Sequence, residues 1–161
     1  MASPDPLFRL LDVLQPSLAM YLSDSGIWSY PGAEDLKLAL ADLVSDHRSL
    51  VERAGVAADS RGLPAPSPVY PIHFTGCHDV DMISLVPRVI EGLRRQVERL
   101  DGILAATGHD SATGQDGEAH DLAREAKESS LAHLAVLEQV LSVERSRQRG
   151  PAPGAASGAA S

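Results

Sequence analysis

Cysteine occurs once in the 161 residues, at Cys77. No intramolecular disulfide can form, so the chain must hold itself together by packing, and such usage fits a reducing compartment. A cytoplasmic location is the expectation. Aromatic residues make up 4% of the chain, too few for the aromatic and β-branched faces of a sandwich. The core must come from Leu, Val, Ile and Ala, which suits helix-on-helix packing. Positive charge is also short: 14 Lys and Arg against 22 Asp and Glu leave a net charge of −8. That excludes general affinity for nucleic acid, which needs a basic face, and for an anionic membrane surface. Long apolar runs are missing as well. The N-terminal one is interrupted by Arg9, Asp12 and Pro16 and has no basic leader, and none approaches the roughly 20 residues of a membrane span. Nothing resembles a catalytic triad, a phosphate loop or a dinucleotide fingerprint. Cys77 has histidines nearby in sequence, but nucleophilic catalysis has no further support.

What the chain does contain is helical periodicity. Asp5 as N-cap and Pro6 at the first position start a first helix, with Leu7, Leu11, Leu14, Leu18 and Leu22 as its seam. Pro16 predicts a kink or break within it. A connector holds Ile27, Trp28 and Tyr30 and closes at Pro31-Gly32; Trp28 is either a plug over one end or an anchor for a partner subunit. A second helix runs from about Ala33 to Asp59 with the seam Leu36, Leu40, Leu43, His47, Leu50, Ala54. A third spans about Asp79 to Ala106, with Ile83, Val86, Ile90, Leu93, Val97, Leu100 and Leu104 as seam. Pro87 kinks that helix or marks its start, and Gly92 is placed for close helix contact. A polar loop, residues 107–117 with His109, leads to a fourth helix from about Glu118 to Arg147. Its seam reads Leu122, Ala126, Ser129, His133, Val136 or Leu137, Val140. Residues 6–149 form one helical domain, with residues 1–5 and the tail 150–161 expected to be disordered.

The connection from Arg61 to His78 sets the topology. Pro64, Pro66, Pro68 and Pro71 forbid helix and favour an extended path. Adjacent antiparallel helices need only a short loop. The second helix is on the order of 35–40 Å long, and this segment can reach about 55–60 Å. It therefore crosses over, so that the second and third helices run parallel, with Tyr70 and Phe74 pinning it down. The fold class expected is all-α, a four-helix bundle with one long crossover.

A histidine in a buried seam needs partners, because an unpaired buried polar group costs about 1–3 kcal/mol. His47 and His133 lie near the middles of their helices and fall in one layer. They are either metal ligands or a hydrogen-bonded pair supported by Asp46, Ser17 or Ser129. His73, Cys77 and His78 on the crossover are a weaker metal-ligand cluster. Asp79 and Asp81 read as N-cap and first-turn residues of the third helix.

Several short pieces resemble the ferritin-like superfamily, in its bacterioferritin branch. These are SLAMYL on the first helix, LVER followed by GLP on and after the second, and HLAVLE, His133 to Glu138, on the fourth. The chain is also similar to uncharacterised planctomycete-type bacterial proteins through QPSLAMYL and FTGCHD. The first resemblance implies a ferritin-like four-helix bundle and a di-iron site built from a glutamate on each of four helices and a histidine on two. Matched to that pattern, His133 takes the fourth-helix histidine and Asp46 the second-helix histidine position. Ser130 replaces the E-x-x-H glutamate; Leu14, Gln15 or Ser17 stand where the first-helix glutamate would be. Glu91 is the third-helix equivalent. The implied site is degenerate, leaving His47, His133, Asp46 and Glu91 for a metal such as iron, zinc or manganese. An oxygen-activating centre needs more anionic ligands than that. The favoured expectation is a non-catalytic bundle acting through a homo-oligomer or a protein partner. The alternative is a metalloprotein with a reduced His/carboxylate site, open to oxidoreductase chemistry.

Overall fold

The computed structural model describes residues 4–25, 32–64, 66–77, 80–108 and 114–150. Helices account for all the regular structure of these residues: α1 (Pro6–Leu14), α2 (Leu18–Asp24), α3 (Glu34–Ser60), a 3-10 helix (Ile72–Cys77), α4 (Met82–Thr107) and α5 (Gly114–Arg149). The fold class is all-α. The expectations for Trp28, His78, Asp79, His109 and the tail 151–161 lie outside the described residues.

The helix ends follow from capping chemistry. Asp5 accepts a hydrogen bond from the Leu7 amide at 2.8 Å, and Pro6 occupies the first helical position, where its missing N–H costs nothing. The chain then breaks fully at residues 15–17. Pro16 has no N–H to bond the Asp12 carbonyl, and Ser17, in extended conformation, starts α2 by accepting from the Met20 amide at 3.3 Å. At the far end of α3, Gly62 adopts φ +69°. The Gly62 amide donates to the Asp59 carbonyl at 2.9 Å and the Leu63 amide to the Ala58 carbonyl at 3.0 Å. This pair of bonds is a Schellman closure. Asp81 caps α4, accepting from the Ser84 amide at 3.0 Å and from its hydroxyl at 2.8 Å; both bonds hold its carboxyl below the usual range. Pro87 lies inside α4, so the helix starts before it.

Cross-helix pairs give the directions. Asp35 meets Arg147, Arg53 meets Glu125 and Arg61 meets Glu118, so α3 and α5 are antiparallel. Arg94 meets Glu138, Asp101 meets Lys127 and Thr107 meets His120, so α4 and α5 are antiparallel too. Hence α3 and α4 run parallel; their backbones stay apart, and buried side chains such as His47 and Gln96 meet between them. α1 packs on both, with Asp12 on Arg99 and Asp5 near Arg61.

The connecting segment departs from the expected extended path in its last third. Beyond Pro71 no proline follows until Pro87, so backbone N–H groups are free to bond, and residues 72–77 coil into the 3-10 helix. Phe74 and Cys77, three apart, share one face of that coil and are both buried. Tyr70 anchors the segment: its hydroxyl donates to Asp24 at 2.8 Å, and its ring meets Tyr21 edge-on at 5.3 Å. Burial, and then the bond to Asp24, push the Tyr70 hydroxyl up to about 12.

The core is two apolar clusters. One gathers Leu22, Leu36, Leu40, Leu85 and Leu137; the other gathers Leu10, Leu14, Leu50, Leu100 and Leu122. On α3, α4 and α5 the residues between the two clusters include His47, Gln96 and Ser130, all buried. A polar layer thus divides the core. The break between α1 and α2 falls between the same two clusters.

Candidate functional site

His47 sits in the α3 seam at 1% exposure. Its Nδ1 lies 3.0 Å from the Leu43 carbonyl, one turn back. A carbonyl only accepts, so Nδ1 carries the proton and Nε2 of the neutral ring is an acceptor. Nε2 is 2.7 Å from the Gln96 amide nitrogen, which donates to it and also to Ser130 Oγ at 3.0 Å. The Ser130 hydroxyl in turn donates to the Ala126 carbonyl at 2.7 Å. Each of these groups has a partner of the right kind when His47 is neutral. Burial pushes the His47 pKa below its usual value, opposed by the bonds to Leu43 and Gln96.

His133 does not join this layer. It stands half-buried at the α3–α5 edge, where its Nε2 lies 2.7 Å from Asp46 Oδ2. Ser129 adds a long 3.5 Å bond to the same oxygen. Glu91 is exposed on α4, 3.8 Å from Arg94. Of the four expected ligands, then, Asp46 and His133 meet, while His47 and Glu91 each point elsewhere. Asp46 and His47 are consecutive on a helix and diverge by about 100°, so one reaches the core and the other its edge. Among the described residues, no three His, Cys, Asp or Glu side chains come together in a group that could hold a metal ion. On the crossover, His73 is exposed and stacks edge-on against Phe74, and the buried Cys77 sulfur accepts from Arg88 at 3.7 Å.

Two residues central to the layer, Gln96 and Ser130, were not expected as partners for His47. The buried line of α4 runs Val89, Leu93, Gln96, Leu100, Ile103, so Val97 lies beside the seam rather than in it. A glutamine at four–three spacing within leucines was the available signal. On α5 the buried positions from residue 126 onward are Ala126, Ser130, Leu137 and Leu141, which moves the seam from Ser129 to Ser130 and leaves His133 at its margin.

A cleft of about 710 Å³ opens where α1 breaks from α2, bounded by α4 and the 3-10 helix. His47 and Gln96 reach it from the polar layer, and Leu18, Phe74 and Leu93 give it apolar walls. Gly92 faces this space instead of a helix: a Cβ there would meet no atom within 4 Å. The expected close contact at Gly92 is therefore absent, because the break at Pro16 leaves no helix opposite.

No protein-family model matches the chain, and no curated protein or solved structure matches it either. Among the described residues, no helix is long and apolar enough to cross a membrane.

The neutral state of His47 carries a pH signature. Its folded pKa lies below the ordinary 6.5, so below that pH the unfolded chain binds more protons than the folded one. The contribution of His47 is fully present above about pH 6.5 and is lost as pH falls through the lowered value, with a slope of at most about 1.4 kcal/mol per pH unit. Urea unfolding between pH 7.5 and 5 should show wild type losing more stability than a His47→Leu variant. Equal losses would mean that His47 is not buried and neutral.

Proposed function

We propose that this chain is a ferritin-like four-helix bundle without chemistry of its own, which acts by associating with a second copy through the outward face of α5. Metal-binding bundles bring carboxylates into their middle layer. Here that layer is filled by His47, Gln96 and Ser130, bonded to one another, which supports a structural role for them.

The observation that carries the association is the exposed surface of α5. Its exposed positions from residue 131 to 143 are Leu131, Ala132, Ala135, Val136, Glu138, Gln139, Ser142 and Val143. Glu138, exposed at one edge of this surface, is paired with Arg94 of α4, and the strip of Ala132, Ala135, Val136, Gln139, Ser142 and Val143 beside it carries no charge. Leu131, Val136 and Val143 remain 44–47% exposed. Two copies each of net charge −8 repel, and they approach most cheaply where neither presents a charge. The small Ala132 and Ala135 allow close helix contact.

Charges at the two ends of the face fix its orientation. Glu128 and Arg149 are exposed and have no ion-pair partner among the described residues. A two-fold, antiparallel pairing of α5 helices centred near Gln139 sets Glu128 of one copy beside Arg149 of the other. Val136→Glu, at an exposed position, places like charges across that axis. Sedimentation equilibrium should show a dimer for wild type and, for the variant, dimerisation weaker by at least about 100-fold, with unchanged thermal stability of the monomer. A wild-type chain that stays monomeric, or a variant that dimerises as wild type does, overturns the proposal.

A further inference from the structure

We infer that the cleft beside the α1–α2 break binds an amphipathic monocarboxylate, its apolar body lying in the cleft and its carboxylate at Arg88 and Arg95. This goes beyond the association through α5, since none of the cleft's lining residues comes from that helix. The volume of about 710 Å³ is that of a small-molecule site, and such sites combine apolar walls with a few placed polar groups. Leu18, Phe74 and Leu93 supply the walls.

The charge at the cleft is the informative part. On α4, Arg94 is paired with Glu138 and Arg99 with Asp12. Arg88 and Arg95, two turns apart on the same helix face and both lining the cleft, have no carboxylate partner among the described residues. Arg88 spends its hydrogen bond on the Cys77 sulfur at 3.7 Å, a weak acceptor. Glu91 also lines the cleft but stands nearer Arg94, at 3.8 Å. In a chain with eight more acidic than basic residues, two arginines that form no ion pair among the described residues, beside a cleft with apolar walls, are matched by an anion carrying an apolar body. Guanidinium and carboxylate are complementary in shape as well as charge.

Gly92 provides the decisive variant. A side chain there enters the open cleft, and replacing a mid-helix glycine favours the helix, so Gly92→Leu should block the site without unfolding the protein. Equilibrium dialysis of the full chain against dodecanoate should show saturable binding at one site. Dodecanol should bind at least about tenfold more weakly and acetate not at all. Gly92→Leu should abolish dodecanoate binding while melting no lower than wild type. Arg88→Gln/Arg95→Gln should reduce dodecanoate to the level of dodecanol. Absence of saturable dodecanoate binding, equal affinity for dodecanol, or undiminished binding by Gly92→Leu overturns the inference.

Discussion

Leu43→Ala is expected to cost about 3–4 kcal/mol of stability and to lower the melting temperature by roughly 10 °C. Leu43 is fully buried in the α3 seam, one turn before His47. It belongs to the apolar cluster that joins α2, α3, α4 and α5 on one side of the polar layer. Truncation removes the transfer energy of the lost carbons and leaves a cavity. The neighbours cannot collapse into it easily, because on one side they are tied into the hydrogen bonds of His47 and Gln96. Thermal unfolding followed by circular dichroism measures this directly. A fall of under about 2 °C would mean that the α3 seam is not the buried axis of the core.

The second large effect lies in the polar layer. His47→Leu leaves one Gln96 amide hydrogen without its acceptor, and Gln96→Leu leaves His47 Nε2 and Ser130 without their donor. Each single change should cost about 2–3 kcal/mol, chiefly the penalty of a buried group left unpaired. The double variant removes both ends of the shared bond and replaces them with apolar groups, so it should lose clearly less than the sum of the singles. A coupling of at least about 1 kcal/mol is expected from urea unfolding of the four proteins. Strict additivity would show that His47 and Gln96 do not bond in the folded state.

Parts of this arrangement could be read from the residues because local chemistry decides them. Asp5-Pro6 at a helix start, the interruption at Pro16 and the seam from Leu36 to Ala54 each depend on a few neighbouring positions. The α3 seam was legible because its opposite face carries charge. On α4 the pattern was ambiguous: Met82, Leu85 and Val89 are as apolar as Ile83, Val86 and Ile90. The centre of so wide a stripe is set by packing against α1 and α5, and it passes through Gln96. On α5, apolar residues between Leu131 and Leu141 point to nearly every side. Only the positions of α3 and α4 decide that Ser130 faces inward while His133 turns to Asp46. The cleft depended on a coincidence across chain segments, the Pro16 break lying level with His47 and opposite Gly92. No local pattern encodes that. The 3-10 helix was hidden because four prolines dominate the segment before it, although residues 72–77 contain none.

Association through α5 is tested at the position placed on its two-fold axis. Gln139→Cys sets one thiol from each copy against the other, within reach of a disulfide if the helices pair as described. Native Cys77 is buried and should not compete. Under mild oxidation the variant should convert almost completely to a disulfide-linked dimer on non-reducing gels, whereas a Val136→Glu/Gln139→Cys protein should not. A Gln139→Cys chain that remains monomeric after oxidation would contradict the account.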